Sequence, residues 1–165
     1  MLWIRSFSLQ FCLVLACAVF PDASAKEIVG NVNRVIDGDT IELKHAAKML
    51  KIRLTGIDAP ESDQPFGQEA TRYLSELIIH QQVLVTYDRT DRYGRLLGKI
   101  ILDETDINLA LIRNGYAWWY RYYRDQQSAQ DQMLYESAEL EAKALKRGLW
   151  TIDNPINPYD WRTKK

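Results

Sequence analysis

Ile41 and Leu43, then Leu50, Ile52 and Leu54, place apolar side chains at every second position. That period belongs to strands with one buried face, and no helix can satisfy it. A valine- and isoleucine-rich run from Ile28 to Ile36 precedes them, and Asp37-Gly38 between the first two segments is a strong hairpin signal. Three consecutive strands are therefore expected over residues 28–54. Their parity puts Asp39 on the same face as Ile41 and Leu43, and Arg53 on the face opposite Ile52 and Leu54.

The period then changes. Ala70, Leu74, Leu77 and Ile78 recur at helical spacing, which predicts an amphipathic helix over roughly Gln68 to His80. Val83 to Tyr87 and Leu96 to Leu102 read as two more strands around a polar loop with Gly94. Asp106 is an N-cap for a short helix ending at Asn114-Gly115. Ser128 starts a last helix, with Asp131 completing a capping-box pattern and Gly148 ending it. Pro155 and Pro158 suggest an extended tail over 153–165. The order implies an α+β fold: a five-stranded OB-type β-barrel with three packed α-helices.

The first 25 residues stand apart. Arg5, the apolar run from Phe11 to Phe20 and Ala23-Ser24-Ala25 form a secretory signal pattern cut before Lys26. The run is short for a membrane anchor, and lipid attachment at Cys17 is a looser match than the downstream processing site. The expectation is an exported chain, periplasmic or secreted, with no stable membrane span after processing. Cys12 and Cys17 both fall in this leader, so the mature domain over 26–152 has neither disulfides nor thiolate ligands. Removing 25 of 165 residues leaves about 140, enough for one domain with a real core. A net charge of −1 argues against a sequence-independent nucleic-acid coat, which would be strongly basic. With two histidines and no mature cysteine a zinc site is not expected.

Three short motifs carry the chemistry. Asp37-Gly38-Asp39-Thr40 alone is a hairpin tip, yet the parity of Asp39 turns a carboxylate inward, where it needs a partner or a metal. In Arg53-Leu54-Thr55-Gly56-Ile57-Asp58-Ala59-Pro60-Glu61 the bland reading is an ion pair at a barrel end. The functional one is a metal ligand (Asp58), a water-orienting base (Glu61) and a phosphate clamp (Arg53), whose planar fork meets two oxygens at once. Thr90-Asp91-Arg92-Tyr93-Gly94-Arg95 is either a solvated loop or the source of a second guanidinium, Arg95, with Tyr93 beside a phosphate or base. Gly115 to Arg124 interleaves aromatics with arginine, as single-strand sites do. One of Trp118 and Trp119 is expected in the core, and Tyr122 and Tyr123 at the substrate. Oxygen ligands imply a hard cation: calcium first, magnesium or manganese behind it.

In register, these motifs resemble the staphylococcal nuclease (thermonuclease) family over roughly Ile28 to Trp150, with Leu111-Ile112-Arg113-Asn114-Gly115 and Gly148-Leu149-Trp150 extending the match. The resemblance implies that Asp39 and Asp58 ligate calcium, with the Ala59 carbonyl as a third donor. Glu61 would activate or orient the attacking water, Arg53 and Arg95 would bind the phosphate, and Tyr93 would lie near it. It further implies calcium-dependent, sugar-nonspecific hydrolysis of DNA and RNA to 3′-phosphate ends. A monomer is expected. The alternative reading is a non-catalytic OB-type nucleic-acid-binding module. Two departures stand out. Residues 62–67 are shorter than the family's lysine-bearing loop, and Arg121 falls where a nucleotide-contacting tyrosine would be, while Tyr123 keeps its partner.

Overall fold

The computed structural model describes residues 25–164. The expected leader, Ala25 apart, lies outside the described residues, as do both cysteines. The strands, in chain order, are β1 Lys26–Asp37, β2 Thr40–His45, β3 Lys48–Leu54, β4 Ile57–Asp58, β5 Gln82–Thr90, β6 Leu96–Leu102, β7 Thr105–Asp106 and β8 Trp118–Trp119. The helices are α1 Gly67–Ile78, α2 Ile107–Arg113, α3 Ala129–Ala144 and α4 Pro158–Thr163.

β1, β2 and β3 form the expected antiparallel meander, with Val35 opposite Ile41 and Ile41 opposite Ile52. The second half of β1 pairs with β2, and its first half pairs with β5, from Asn31 opposite Gln82 to Lys26 opposite Tyr87. Register breaks at Val32/Arg34 and Val35/Asp37 bend the strand between these two neighbours. β6 runs antiparallel to β5 and closes on β3 in parallel, Ile52 beside Leu96 and Leu54 beside Gly98. Five long strands thus complete a closed barrel of the OB type, as the alternation predicts. β4 and β8 pair separately, Ile57 with Trp119 and Asp58 with Trp118. Two-residue strands like these are too short for a periodicity to announce them.

Val32, Ile41, Leu43, Ile52, Leu54, Val85 and Ile100 fill the barrel, all buried. α1 covers it through Ala70, Leu74 and Ile78, each fully buried. Burying Leu74 and Ile78 contributes about 1.5–3 kcal/mol apiece, and Leu74→Ala would cost about 2–5 kcal/mol. Asn108 on α2 staples the β6 edge: its Oδ1 accepts from Ile100 N–H at 3.1 Å, and its Nδ2 donates to the Thr55 and Gly98 carbonyls at 2.9 and 3.2 Å.

The expected caps hold, with one difference in detail. Asp106 accepts from Leu109 N–H at 2.9 Å and Ser128 from Asp131 N–H at 3.0 Å. The Asp131 carboxylate accepts from Lys99 Nζ at 2.6 Å, which ties α3 to β6. α3 ends at Ala144, before Gly148, where the chain reverses through Lys146 at φ 50°.

The tail departs most from expectation. It contains a fourth helix, α4, rather than an extended segment throughout. Asn157 caps it by accepting from Asp160 N–H at 2.9 Å, and Pro158 occupies the first turn, where its missing N–H is harmless. The proline that suggested a break is a helix start.

Candidate active site at one end of the barrel

The Gly38-Asp39 turn, the end of β3 and the kink through β4 meet at one mouth of the barrel. Gly38 is required there, because a Cβ would lie 2.6 Å from the Ala59 Cβ and 2.9 Å from that of Ala70. Asp39 faces inward, as its parity predicts, and is 7% exposed. Its Oδ2 accepts from Ala59 N–H at 2.8 Å and pairs with Arg53 Nη1, and its Oδ1 accepts from Thr40 Oγ1 at 3.3 Å. Burial pushes this carboxyl up to about 7, and the Arg53 charge offsets only part of that penalty.

Arg53 is the hinge of the cluster. Nη2 donates to Asp58 Oδ1 at 2.9 Å while Nη1 holds Asp39, so one fork spans both carboxylates. Burial opposes its charge, but Asp39 and Asp58 more than compensate and hold its pKa above the ordinary value. Asp58 is 2% exposed and is fixed from behind by the β4–β8 pairing with Trp118. Glu61, just past Pro60, sits at the rim. Gln64 Oε1 accepts from its N–H at 3.1 Å, and its carbonyl accepts from Gln64 N–H at 2.8 Å. A Cβ at Gly67 would overlap that same carbonyl oxygen, so the short loop can pack against α1 only with glycine there.

A cleft of about 1090 Å³ opens from this cluster. Asp39, Arg53, Asp58, Ala59 and Glu61 line it together with Tyr93, Arg95 and Tyr123. Arg95 is held in the β5–β6 loop by Asp91, which accepts from its Nε at 2.8 Å and its N–H at 3.0 Å. Burial works against the Asp91 charge, but the donors from Arg95 and Tyr93 prevail and hold its pKa low. The Tyr93 ring is exposed, with the Arg92 and Arg95 guanidinium carbons 4.8 and 5.6 Å from its centre. Tyr122 and Tyr123 stack edge-on at 4.8 Å, and Tyr122 does not line the cleft. Trp119 is core and Trp118 half-buried.

Among the described residues no three carboxylate, imidazole or thiol side chains stand as a ready metal cluster. The donor set still suits a hard cation: Asp39 and Asp58 bring carboxylate oxygens to either side of one guanidinium at the cleft.

The profile of the family described as "Staphylococcal nuclease homologue" matches residues 51–152. The chain belongs to the staphylococcal nuclease family. It is 41% identical over 140 residues to an "Uncharacterized endonuclease" of Escherichia coli O157:H7, covering 84% of this chain and 88% of that one. It is 40% identical over 142 residues to a "Micrococcal nuclease" of Shigella flexneri, covering 81% and 79%. A Haemophilus influenzae "Uncharacterized endonuclease" is 34% identical over 154 residues, covering 93% and 83%.

Two residues of the homologue's site escape a reading of the sequence. Arg162 on α4 reaches back to Asp58 and Glu61, at 3.1 and 2.6 Å. The signal for α4 was the Asn157-Pro158 pair, but nothing along the chain aims Arg162 at the cleft. Glu139, buried in α3, accepts from the Trp119 N–H at 3.0 Å and so secures β8, the strand behind Asp58.

Proposed function

We propose that the chain is a calcium-dependent, sugar-nonspecific nuclease that hydrolyses DNA and RNA to products with 3′-phosphate ends. The observation that carries this reading is the meeting of Asp39, Asp58, Glu61 and Arg53 at one barrel mouth, in a cleft shared with Arg95 and Tyr93. Family membership supports the same chemistry.

Asp39, Asp58 and the Ala59 carbonyl would hold the ion. When bound, it would supply Lewis-acid polarisation of a phosphoryl oxygen. Glu61, with its carboxylate at the rim, aligns a water and accepts its proton. Arg53 holds a phosphate oxygen from the floor of the cleft. Arg95 reaches from the facing loop by exchanging Asp91 for the phosphate, so both forks act where negative charge grows. Tyr93 contacts the nucleotide beside that phosphate, and Tyr123 offers a stacking face at the rim. Export of the mature chain is part of the proposal, supported by Arg5, the apolar run after it and Ala23-Ser24-Ala25.

The test is cleavage of supercoiled plasmid and of single-stranded RNA, with calcium chloride or with chelator, by the unchanged protein and by Glu61→Gln. Nicking in calcium, its loss in chelator and a fall on the order of 10²–10³ in the variant are expected. Product ends should resist polymerase extension until phosphatase-treated. Cleavage that persists in chelator, or an unimpaired variant, would overturn the reading.

A further inference from the structure

Arg162 occupies the two carboxylates that the proposed mechanism needs most. Its Nη2 donates to Asp58 Oδ2 at 3.1 Å, and its Nη1 to Asp58 Oδ1 at 3.3 Å and to Glu61 Oε1 at 2.6 Å. Asp58 Oδ1 already accepts from Arg53 at 2.9 Å. Both Asp58 oxygens are therefore engaged by guanidinium groups.

We infer that Arg162 is a built-in competitor of the divalent cation, so that docking of α4 and binding of the ion exclude one another at Asp58 and Glu61. This rests on the cation-dependent reading above. A calcium ion takes its oxygen ligands at about 2.3–2.6 Å. Placed on Asp58 at that range, it would stand within a few ångströms of the Arg162 charge. With Oδ1 taken by two arginines and Oδ2 by one, little lone-pair capacity is left for an ion, and the two cations repel each other.

The guanidinium is delivered by an ordered element. The Ile156 carbonyl accepts from Gln64 Nε2 at 2.6 Å, with Gln64 itself 6% exposed. Pro158 is buried, and Trp161 Nε1 donates to Asp63 Oδ1 at 3.1 Å. All of these partners lie in the loop just after Glu61, so the tail reads the same segment that positions the rim carboxylate. The two arginines on Asp58 differ in kind. The Arg53 side chain is 16% exposed and built into the barrel wall. The Arg162 side chain is 42% exposed, on the lining of the open cleft. α4 has six residues, too few to persist as a helix once undocked. Release of Arg162 removes its share of the contacts that dock this short helix. By linkage, whatever factor the latch takes from ion affinity, the ion takes from tail docking.

The experiment is calorimetric titration of calcium chloride, without nucleic acid, into the unchanged protein and into Arg162→Gln. If the latch is closed nine-tenths of the time or more, the variant should bind calcium about tenfold tighter or better. Amide exchange across 159–163 in the unchanged protein should speed up on adding calcium, a readout that needs no variant. Equal or weaker calcium binding by Arg162→Gln, or exchange that calcium does not alter, overturns the latch and leaves the nuclease reading standing. If neither protein binds calcium while plasmid is still cut in chelator, both the latch and the ion-dependent reading fail.

Discussion

The Glu139 carboxylate, fully buried in α3, accepts a hydrogen bond from the Trp119 backbone N–H at 3.0 Å. Through that bond a helix on the barrel's flank steadies β8, and β8 in turn steadies Asp58. Arg121 and Lys143 close over the same carboxylate at 2.8 and 2.9 Å. Glu139→Ala strips the acceptor from the Trp119 N–H and leaves two cations without their partner. Both cations are half exposed, so the loss should be about 2–4 kcal/mol, at the lower end of what breaking a buried pair costs. A urea midpoint lowered at constant slope would show it, and cleavage should weaken alongside as Asp58 loses its backing.

The same carboxylate predicts an acid dependence. Burial raises the Glu139 pKa, but the bonds from Arg121 and Lys143 prevail and hold it below the ordinary value of 4.5. Its folded pKa is depressed, so its contribution is fully present above the unfolded value and fades as pH falls through the folded one. The stability gap between the unchanged protein and Glu139→Gln should hold from pH 7 to about 5 and narrow progressively as pH falls below the ordinary value of 4.5. Urea midpoints of both proteins across that range check the sign. A gap that widened on acidification would contradict it.

Arg53→Lys keeps a positive charge but removes the fork. One ammonium cannot reach Asp39 and Asp58 in the arrangement that Nη1 and Nη2 share. Turnover should fall on the order of 10²–10³, and stability by about 1–3 kcal/mol as a charged hydrogen bond is lost. Single-turnover cleavage with circular dichroism separates the two effects.

Gly67→Ala tests the rim. The added Cβ would overlap the Glu61 carbonyl oxygen, so the loop bearing the rim carboxylate must move. A displacement of about an ångström at a catalytic group typically costs about 10² in rate. The variant should fold, since alanine is the better helix former at the start of α1, yet cleave far more slowly. Undiminished turnover would mean that the loop shifts without carrying Glu61 along.

Much of this was legible because the chemistry is local in sequence. Asp39, Arg53, Asp58 and Glu61 lie within one hairpin and the kink after it; strand parity turns Asp39 inward but sets Arg53 on the other face, and only the structure brings the two together. Asp106 and Ser128 announced their helices through side chains that cap them. Arg162 and Glu139 were hidden for a different reason. Each acts on a residue far along the chain, and neither sits in a pattern that singles it out. Glu139 lies beside Ala138 on a helix whose other charges, Asp131 apart, are exposed, so only packing reveals that it is buried. The tail was misjudged because proline both ends helices and begins them, and Asn157 ahead of it decides for the latter.

The parallel seam between β3 and β6 has a consequence for how the molecule comes into being. Ile52 and Leu96 must find each other across the whole of α1 and β5 before the ring can shut, and Asp58 gains its backing only when Trp118 arrives later still. Such distant pairings make folding slow and concerted, because chain entropy is spent before the contacts repay it. Destructive chemistry is thereby among the last properties the polypeptide acquires, since a chain whose ring is still open lacks the backing of Asp58.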